Sequence, residues 1–306
     1  MKTKTLASSF RRVGIVGRLN SRSVLLSVQR LTLLLQQLDK EYCVEQCLLE
    51  AMPELQCNGK DRDGIGQWAD LIIVIGGDGT FLGAARALAQ YDVPMVGINR
   101  GRLGFLTDIM PQEMEQRVSE VIQGDFKLEQ RFLLQAQVIR DGNVVAENCA
   151  FNDVVLHSGQ SIRMIEFDLN VDGQFVYSQR SDGLIISTPT GSTAYALSAG
   201  GPLVHPSMNA MVLVPMCPHS LTNRPLMVSA ESELCIKVGY ENDLPPHLSF
   251  DAQALVELQH GDELIVRKYP HTLNLIHLEG YNYFEICRTK LGWSNRLEVN
   301  DGGSEQ

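Results

Sequence analysis

The chain has 306 residues, 44% hydrophobic and 20% charged, with a formal charge of −10 at pH 7; this is the composition of a globular protein long enough for two domains. Its acidity argues against a general nucleic-acid binder, which needs basic stripes, so an anionic ligand must be held by local devices. The longest apolar runs, such as 71–75, fall far short of a membrane span, and the basic start, 1–12, has no apolar stretch behind it like that of a signal peptide, so a cytoplasmic home is expected. In chain order, Val13-Gly14-Ile15-Val16-Gly17 reads as a first strand, and 24–38 as a helix whose core face is Leu31, Leu34, Leu35 and Leu38. Residues 42–49 read as a second strand, and 52–66, with Pro and glycines, as loop.

Next, five β-favouring apolar residues, 71–75, run into Gly76-Gly77-Asp78-Gly79-Thr80 and a helix over 81–90. An unbroken apolar run suits a strand buried on both faces of a parallel sheet, and such sheets bind ligands at the carboxyl ends of their strands. Asp78 belongs at that end. Glycines there let backbone approach a ligand, and amides at a helix start favour phosphate; the same residues also make an ordinary turn. A further strand over 93–98 completes strand, helix, strand, which requires a right-handed crossover and parallel pairing. The N-terminal part is therefore α/β, closing with a helix over 112–123.

From residue 131 the texture changes to short β-rich runs (133–139, 144–146, 164–171, 184–187, 234–238, 263–266), separated by turn signals such as Asp141-Gly142-Asn143, Asp172-Gly173 and His260-Gly261-Asp262. The expected division is an α/β domain over 1–130, a mostly β domain over 131–275 and a tail over 276–306 packing back on the first domain, with 301–306 frayed. Seven cysteines are scattered without a C-x-x-C pair and read as reduced thiols, with no zinc expected. His157, His205, His219 and His277 read as structural.

The second informative stretch is 180–202. A strand over 184–187 enters Thr188-Pro189-Thr190-Gly191-Ser192-Thr193 and then a helix over 194–199. Hydroxyls and amides at a helix start can bind phosphate without net positive charge, although such a loop is also a common solvated connection. Neither a Walker loop nor a protein-kinase H-R-D set occurs, so a nucleotide-using enzyme here belongs to another class.

Gly76-Gly77-Asp78-Gly79-Thr80 resembles the GGDGT signature shared by NAD kinases, diacylglycerol-type lipid kinases and phosphofructokinases, and alone selects only that superfamily. Three segments narrow it: 99–108 (NRGRLGFLTD) resembles the N-x-G-x-L-G-F-L motif of NAD kinases, Phe151-Asn152-Asp153 their N-E/D pair, and 182–202 their D-G-x-x-x-S-T-P-T-G-S-T-A-Y segment. Residues 271–277 and 289–293 look like the tail of the bacterial enzymes, so the resemblance runs over 12–297.

The resemblance implies a Rossmann-like α/β domain plus a mostly β domain. It implies a transferase that moves the γ-phosphoryl group of ATP to the 2′-hydroxyl of the adenosine ribose of NAD, with a divalent cation, Mg²⁺, and with Asp78 as general base. No metal ligand is assigned. By the same resemblance Gly79 allows close backbone approach, Asn152 and Asp153 hold the adenosine ribose hydroxyls, Asp182 contacts the nicotinamide half, and Thr193, Ala194, Tyr195 and Ser198 line the NAD site. Phe105 matches an aromatic near adenine, or else is core. Arg163 and Arg180 match positions near the diphosphate and nicotinamide ribose, or else are solvated. Gln253 belongs to Asp251-Ala252-Gln253, where the family often has D-G-Q; alanine takes a positive φ less freely than glycine, which leaves the geometry of Gln253 open. A homodimer or homotetramer is implied, with subunit contacts completing the NAD site. A lipid kinase would instead need an apolar acceptor cleft and basic residues for a membrane surface, and a non-catalytic dinucleotide sensor would have little use for Asp78.

Overall fold

In a computed structural model, which describes residues 10–18, 21–100, 104–159 and 163–293, the first part of the chain alternates strands and helices. These are β1 (Arg12–Gly17), α1 (Arg22–Gln37), β2 (Glu41–Glu45), α2 (Gln46–Glu50), β3 (Asn58–Lys60), α3 (Arg62–Trp68), β4 (Leu71–Gly76), α4 (Asp78–Leu88), β5 (Met95–Asn99) and α5 (Met114–Gln123). Strands β5, β4, β1, β2 and β3 lie side by side in parallel. Every residue of β4 is buried because helices cover both faces. On one face Val13, Ile15, Ile73 and Ile75 meet Leu31 and Leu35 of α1 and Val118 of α5. On the other, Val16, Ile72 and Val74 meet Phe81, Ala85 and Leu88 of α4 and Ile65 of α3.

Three local elements differ from the sequence expectation. The strand expected over 42–49 ends at Glu45, and one helical turn follows that buries Leu48 in the core. The loop expected over 52–66 holds β3 and α3, whose first turn is capped by Asp61 accepting the Gly64 N–H at 2.8 Å. Gly66 disguises this helix, and it is there because a Cβ would run into the Tyr91 ring. Helix α4 starts at Asp78, with Gly77 as its cap, so the acid sits in the first helical turn.

The rest is mostly β: β6 (Phe126–Arg140), β7 (Asn143–Ala150), β8 (Asp153–His157), β9 (Ile165–Val171), β10 (Gln174–Ser181), β11 (Gly183–Ser187), then α6 (Tyr195–Ser198), β12 (Ala210–Met216), β13 (Leu226–Ser229), β14 (Leu234–Val238), β15 (His247–Phe250), β16 (Ala254–Glu257), β17 (Glu263–Leu278) and α7 (Tyr283–Leu291). Strand β17 joins the two halves. It pairs antiparallel with β6 and β14 and, at Leu275, parallel with Met95 of β5. Among the described residues this gives an 11-stranded sheet in the order β10-β9-β14-β17-β5-β4-β1-β2-β3, with β6 also on β17 and β7 on β6, and a 6-stranded antiparallel sheet in the order β13-β12-β11-β8-β15-β16. Leu156, Leu184, Ile186 and Phe250 of the smaller sheet pack against Phe167, Leu234, Ile236 and Val266 of the larger. Among the described residues no helix is long and apolar enough to cross a membrane.

Candidate active site

Strand β4 delivers Asp78 to the carboxyl edge of the parallel sheet. Its Oδ2 accepts the N–H of Phe105 at 3.0 Å and its Oδ1 that of Leu106 at 3.2 Å. Each oxygen keeps a lone pair for a further donor. Of the N-x-G-x-L-G-F-L match, Gly101, Arg102 and Leu103 lie outside the described residues. A Cβ on Gly104 would overlap Asp78 Oδ1 and come within 2.6 Å of Thr107 Oγ1, so only glycine permits this grip. Phe105 itself is half-buried, with Lys290 Nζ 5.5 Å above its ring.

One cavity of about 500 Å³ is lined by Asn152, Asp153, Asp182, Ala194 and Tyr195 together with Asp251 and Ala252, a volume suited to a small-molecule ligand. Thr188 holds the loop above it, donating its N–H to Asn152 O at 2.9 Å and its hydroxyl to Phe151 O at 2.7 Å. Gly191 lies against the Asn152 backbone where no Cβ fits. Ser192 donates to Pro189 O at 2.7 Å and accepts the Val204 N–H at 2.9 Å, and Thr193 donates to Thr190 O at 3.1 Å. The loop's hydroxyls thus bond within the protein and shape the wall.

Asp251 organises this wall. Its buried carboxylate accepts three successive N–H groups, from Phe151 at 3.0 Å, Asn152 at 2.7 Å and Asp153 at 3.2 Å, and pairs with Arg86 Nε at 3.6 Å. Burial raises its pKa, opposed by those amides and by Arg86. Asp153, 4% exposed, is pushed up to about 7 by burial and then by the charge of Asp251. The turn that carries Asp251 has two left-handed residues, Asp251 at φ 50° and Ala252 at φ 52°. Alanine therefore takes the glycine-like conformation despite its Cβ, because the bonds of its neighbours hold it there. Gln253, left open by the sequence, donates to Gly79 O at 2.7 Å and accepts from Arg86 Nη2 at 3.0 Å.

On the other side of this turn is a second cavity, of about 690 Å³, where Gly77, Gly79 and Thr80 face Arg18, Arg62, Arg86 and Arg100. Four arginines in one hollow of an acidic protein make an anion site at the carboxyl ends of β1, β4 and β5, against the amino end of α4. Arg62 is held by Glu45 at 2.8 Å and by Gly83 O at 2.9 Å, and Arg86 by Phe250 O at 2.9 Å. Among the described residues Arg100 Nε is buried without a hydrogen-bond partner, and burial, with Arg30 nearby, lowers the pKa of this guanidinium. Sequence reasoning missed these arginines and the role of Asp251. The available signal was position: Arg62 opens α3, and Arg100 follows β5 directly.

The remaining expected residues fall outside the linings of these two cavities. Thr193 is half-buried behind the wall and Ser198 is exposed on α6. Arg180 is exposed on β10, where its carbonyl accepts the His219 N–H at 3.0 Å. Arg163 ion-pairs with Asp243 at 2.5 Å and borders a separate hollow with Asn242 and Leu244. His157 lines the first cavity and stacks on His247 with ring centroids 5.8 Å apart; burial, then His247, lowers its pKa. Among the described residues no group of three or more His, Cys, Asp or Glu is arranged to hold a metal ion.

A helix-start carboxylate beside an arginine-lined cavity, with a second cavity across one shared turn, is an arrangement suited to a nucleotide-dependent phosphotransferase. The family profile for the ATP-NAD kinase N-terminal domain matches residues 13–126 and that for the ATP-NAD kinase C-terminal domain matches 151–278. The chain is 50% identical to the NAD kinase of Cellvibrio japonicus over 297 residues, covering 94% of this chain and 98% of that protein. It is 51% identical to that of Azotobacter vinelandii over 295 residues, covering 96% and 99%. Yeast NADH kinase complexed with NADH superposes with a TM-score of 0.87 at 26% identity, over 95% of this chain and 90% of that one. An NAD kinase from Archaeoglobus fulgidus in complex with ATP gives 0.71 at 25% identity, over 92% and 98%. The chain belongs to the NAD kinase family, and its activity is ATP-dependent phosphorylation of NAD. Neither a lipid kinase nor a non-catalytic sensor finds support among these relatives.

Proposed function

We propose that Asp78 is the general base that takes the proton of the adenosine ribose 2′-hydroxyl as that oxygen attacks the γ-phosphorus of ATP. The O2′–P bond forms, the bond from the γ-phosphorus to the β,γ-bridging oxygen breaks, and ADP and NADP leave. The observation that carries this is the placement of Asp78, gripped by two amides and flanked by Gly77 and Gly79 at the edge of the arginine cavity. A secondary hydroxyl is a weak nucleophile at neutral pH, so a positioned carboxylate lowers the barrier. In this reading the arginine cavity takes the triphosphate, with Arg100, unpartnered at Nε among the described residues, as one donor for it, and Gly79 lets the chain approach. A divalent cation such as Mg²⁺ would be carried by the triphosphate, not by the arginines, and would neutralise phosphoryl charge there, with the Asp78 carboxylate nearby.

The cavity at Asn152 takes NAD. Asp153, with its pKa near 7, supplies acceptor and donor to vicinal ribose hydroxyls, and Asp182, Ala194 and Tyr195 take the nicotinamide half, with Thr193 and Ser198 supporting that wall. Phe105 stands near the adenine. The NADH held by the yeast enzyme and the ATP held by the archaeal one support two such subsites. Arg163 and Arg180 face outward and reach the diphosphate and nicotinamide ribose across a subunit boundary. Exposed Leu244 and Leu255, bordering a hollow that adjoins the NAD cavity at His157, support a homodimer or homotetramer. The division into 1–130, 131–275 and the tail 276–306 is kept in this reading, with β6 and β17 as the shared border, and the enzyme works in the cytoplasm. Purified protein with ATP, Mg²⁺ and NAD, read out by an NADP-specific dehydrogenase, should give NADP. Phosphorylated NAD that this dehydrogenase rejects would place the transfer on another hydroxyl.

A further inference from the structure

Behind the loop that grips Asp78, four formally charged side chains meet, His277 and Arg131 buried and Asp108 and Glu129 partly so. Asp108 lies two residues beyond Leu106, and its Oδ2 is 2.5 Å from Nδ1 of His277. His277, on β17, is 1% exposed. Its Nε2 lies 3.1 Å from Glu129 Oε2 on β6, off the direction of a hydrogen bond. Glu129 meets Arg131 Nη2 at 2.9 Å, and Arg131 Nη1 donates to Thr190 Oγ1 at 3.0 Å. Contacts therefore run without a break from the Asp78 loop to the loop above the NAD cavity.

The imidazole has a carboxylate at each nitrogen. A neutral imidazole has one N–H and serves one of them; an imidazolium serves both. The formal charges of Asp108, Glu129, Arg131 and protonated His277 also sum to zero, whereas a neutral ring leaves one negative charge of this partly buried cluster uncompensated. Burial pulls the His277 pKa down, but the bond to Asp108 and the close Glu129 carboxylate outweigh it and raise it overall. Contacts with His277 and Arg131 likewise hold Glu129 at about 2 against its burial. The other groups facing the ring are Tyr281, stacked at 3.6 Å and kept neutral by burial at about 12, and Lys127, its exposed register partner on β6. Glu113, Arg117, Glu279 and Glu285 border the hollow outside Asp108 and Tyr281.

We propose that His277, as the imidazolium, is a positioning residue for phosphoryl transfer: it ties Asp108, and with it the loop whose amides orient Asp78, to the Glu129–Arg131–Thr190 chain. The inference rests on Asp78 acting as the base. Loss of the His277 proton at alkaline pH releases one carboxylate and loosens the grip on Asp78, so turnover falls while NAD affinity, set in the other cavity, changes little.

The test follows kcat, KM for NAD and ATP, and Tm from about pH 6 to 10, with the His277 ring titrated by NMR in the same wild-type protein. The alkaline midpoint of kcat should coincide with the NMR midpoint of His277. His277→Gln should lose about tenfold in kcat at neutral pH, keep KM for NAD within about twofold, and lack that limb. An alkaline limb that persists in His277→Gln, or a His277 titration across which kcat stays flat, overturns the proposal. If His277→Gln fails to fold, the wild-type midpoints decide alone, and a mismatch overturns it. Asp78→Asn separates the two ideas: full activity there sinks the base, whereas mismatched His277 and kcat midpoints sink only this inference.

Discussion

Replacing Asp153 by Asn should make the ligand-free protein more stable at pH 8 while impairing it as an enzyme. Asp153 opens β8 almost fully buried, and burial together with Asp251 moves its pKa from 3.8 to about 7. An acid whose pKa rises on folding favours the fold when protonated. That contribution is complete below about pH 4 and is lost as pH rises through about 7. Roughly three pH units at about 1.36 kcal/mol each give about 4 kcal/mol of strain at pH 8, an upper bound because the neighbouring Asp251 and solvent adjust. Asp153→Asn keeps the shape and removes the charge. Urea unfolding of the ligand-free protein should show a gain of about 2 kcal/mol or more at pH 8 and roughly two-fifths of that gain at pH 5, where the folded group is protonated but the unfolded one is already ionised. The KM for NAD should rise about tenfold through the lost acceptor. An equal stability change at both pH values, or a loss at pH 8, would refute the argument from burial.

Ala252→Gly should raise stability by about 0.5 kcal/mol, the relief of a left-handed alanine less the added freedom of the unfolded chain; a lowered Tm would mean that the methyl group packs usefully. Gly104→Ala should cut kcat by about a hundredfold by forcing the Asp78 carboxylate off its amides, and unchanged turnover would show that this grip is dispensable. Arg100→Ala should raise the KM for ATP about tenfold and leave that for NAD alone; the opposite pattern in steady-state kinetics would reassign the arginine cavity.

Strand β4 and its loop were legible because an unbroken apolar run and the glycines after it are local signals. Helix α3 was not, since its glycines lower helix propensity and the ring that requires Gly66 belongs to Tyr91, beyond α4. Strand β17 showed only its first residues, 263–266, because Lys268, Pro270 and Thr272 interrupt the alternation where the ladder shifts register, the kind of place that tolerates a proline. At the site, motif residues such as Asp78 and Asp153 could be named from the chain alone. The linkage of Asp251 to three amides and Arg86 could not, because it arises where β15 folds back on β8 and α4. Arg86 likewise reads as an ordinary surface residue of a helix until that contact is seen.

The central claim is that Asp78 meets the acceptor hydroxyl. Single-turnover NADP formation by Asp78→Asn, with NAD affinity measured by calorimetry on the same sample, tests it most directly. The expected result is NAD affinity within a few-fold of wild type and turnover lower by about 10²–10⁴. Wild-type turnover by Asp78→Asn with NAD bound would contradict the account.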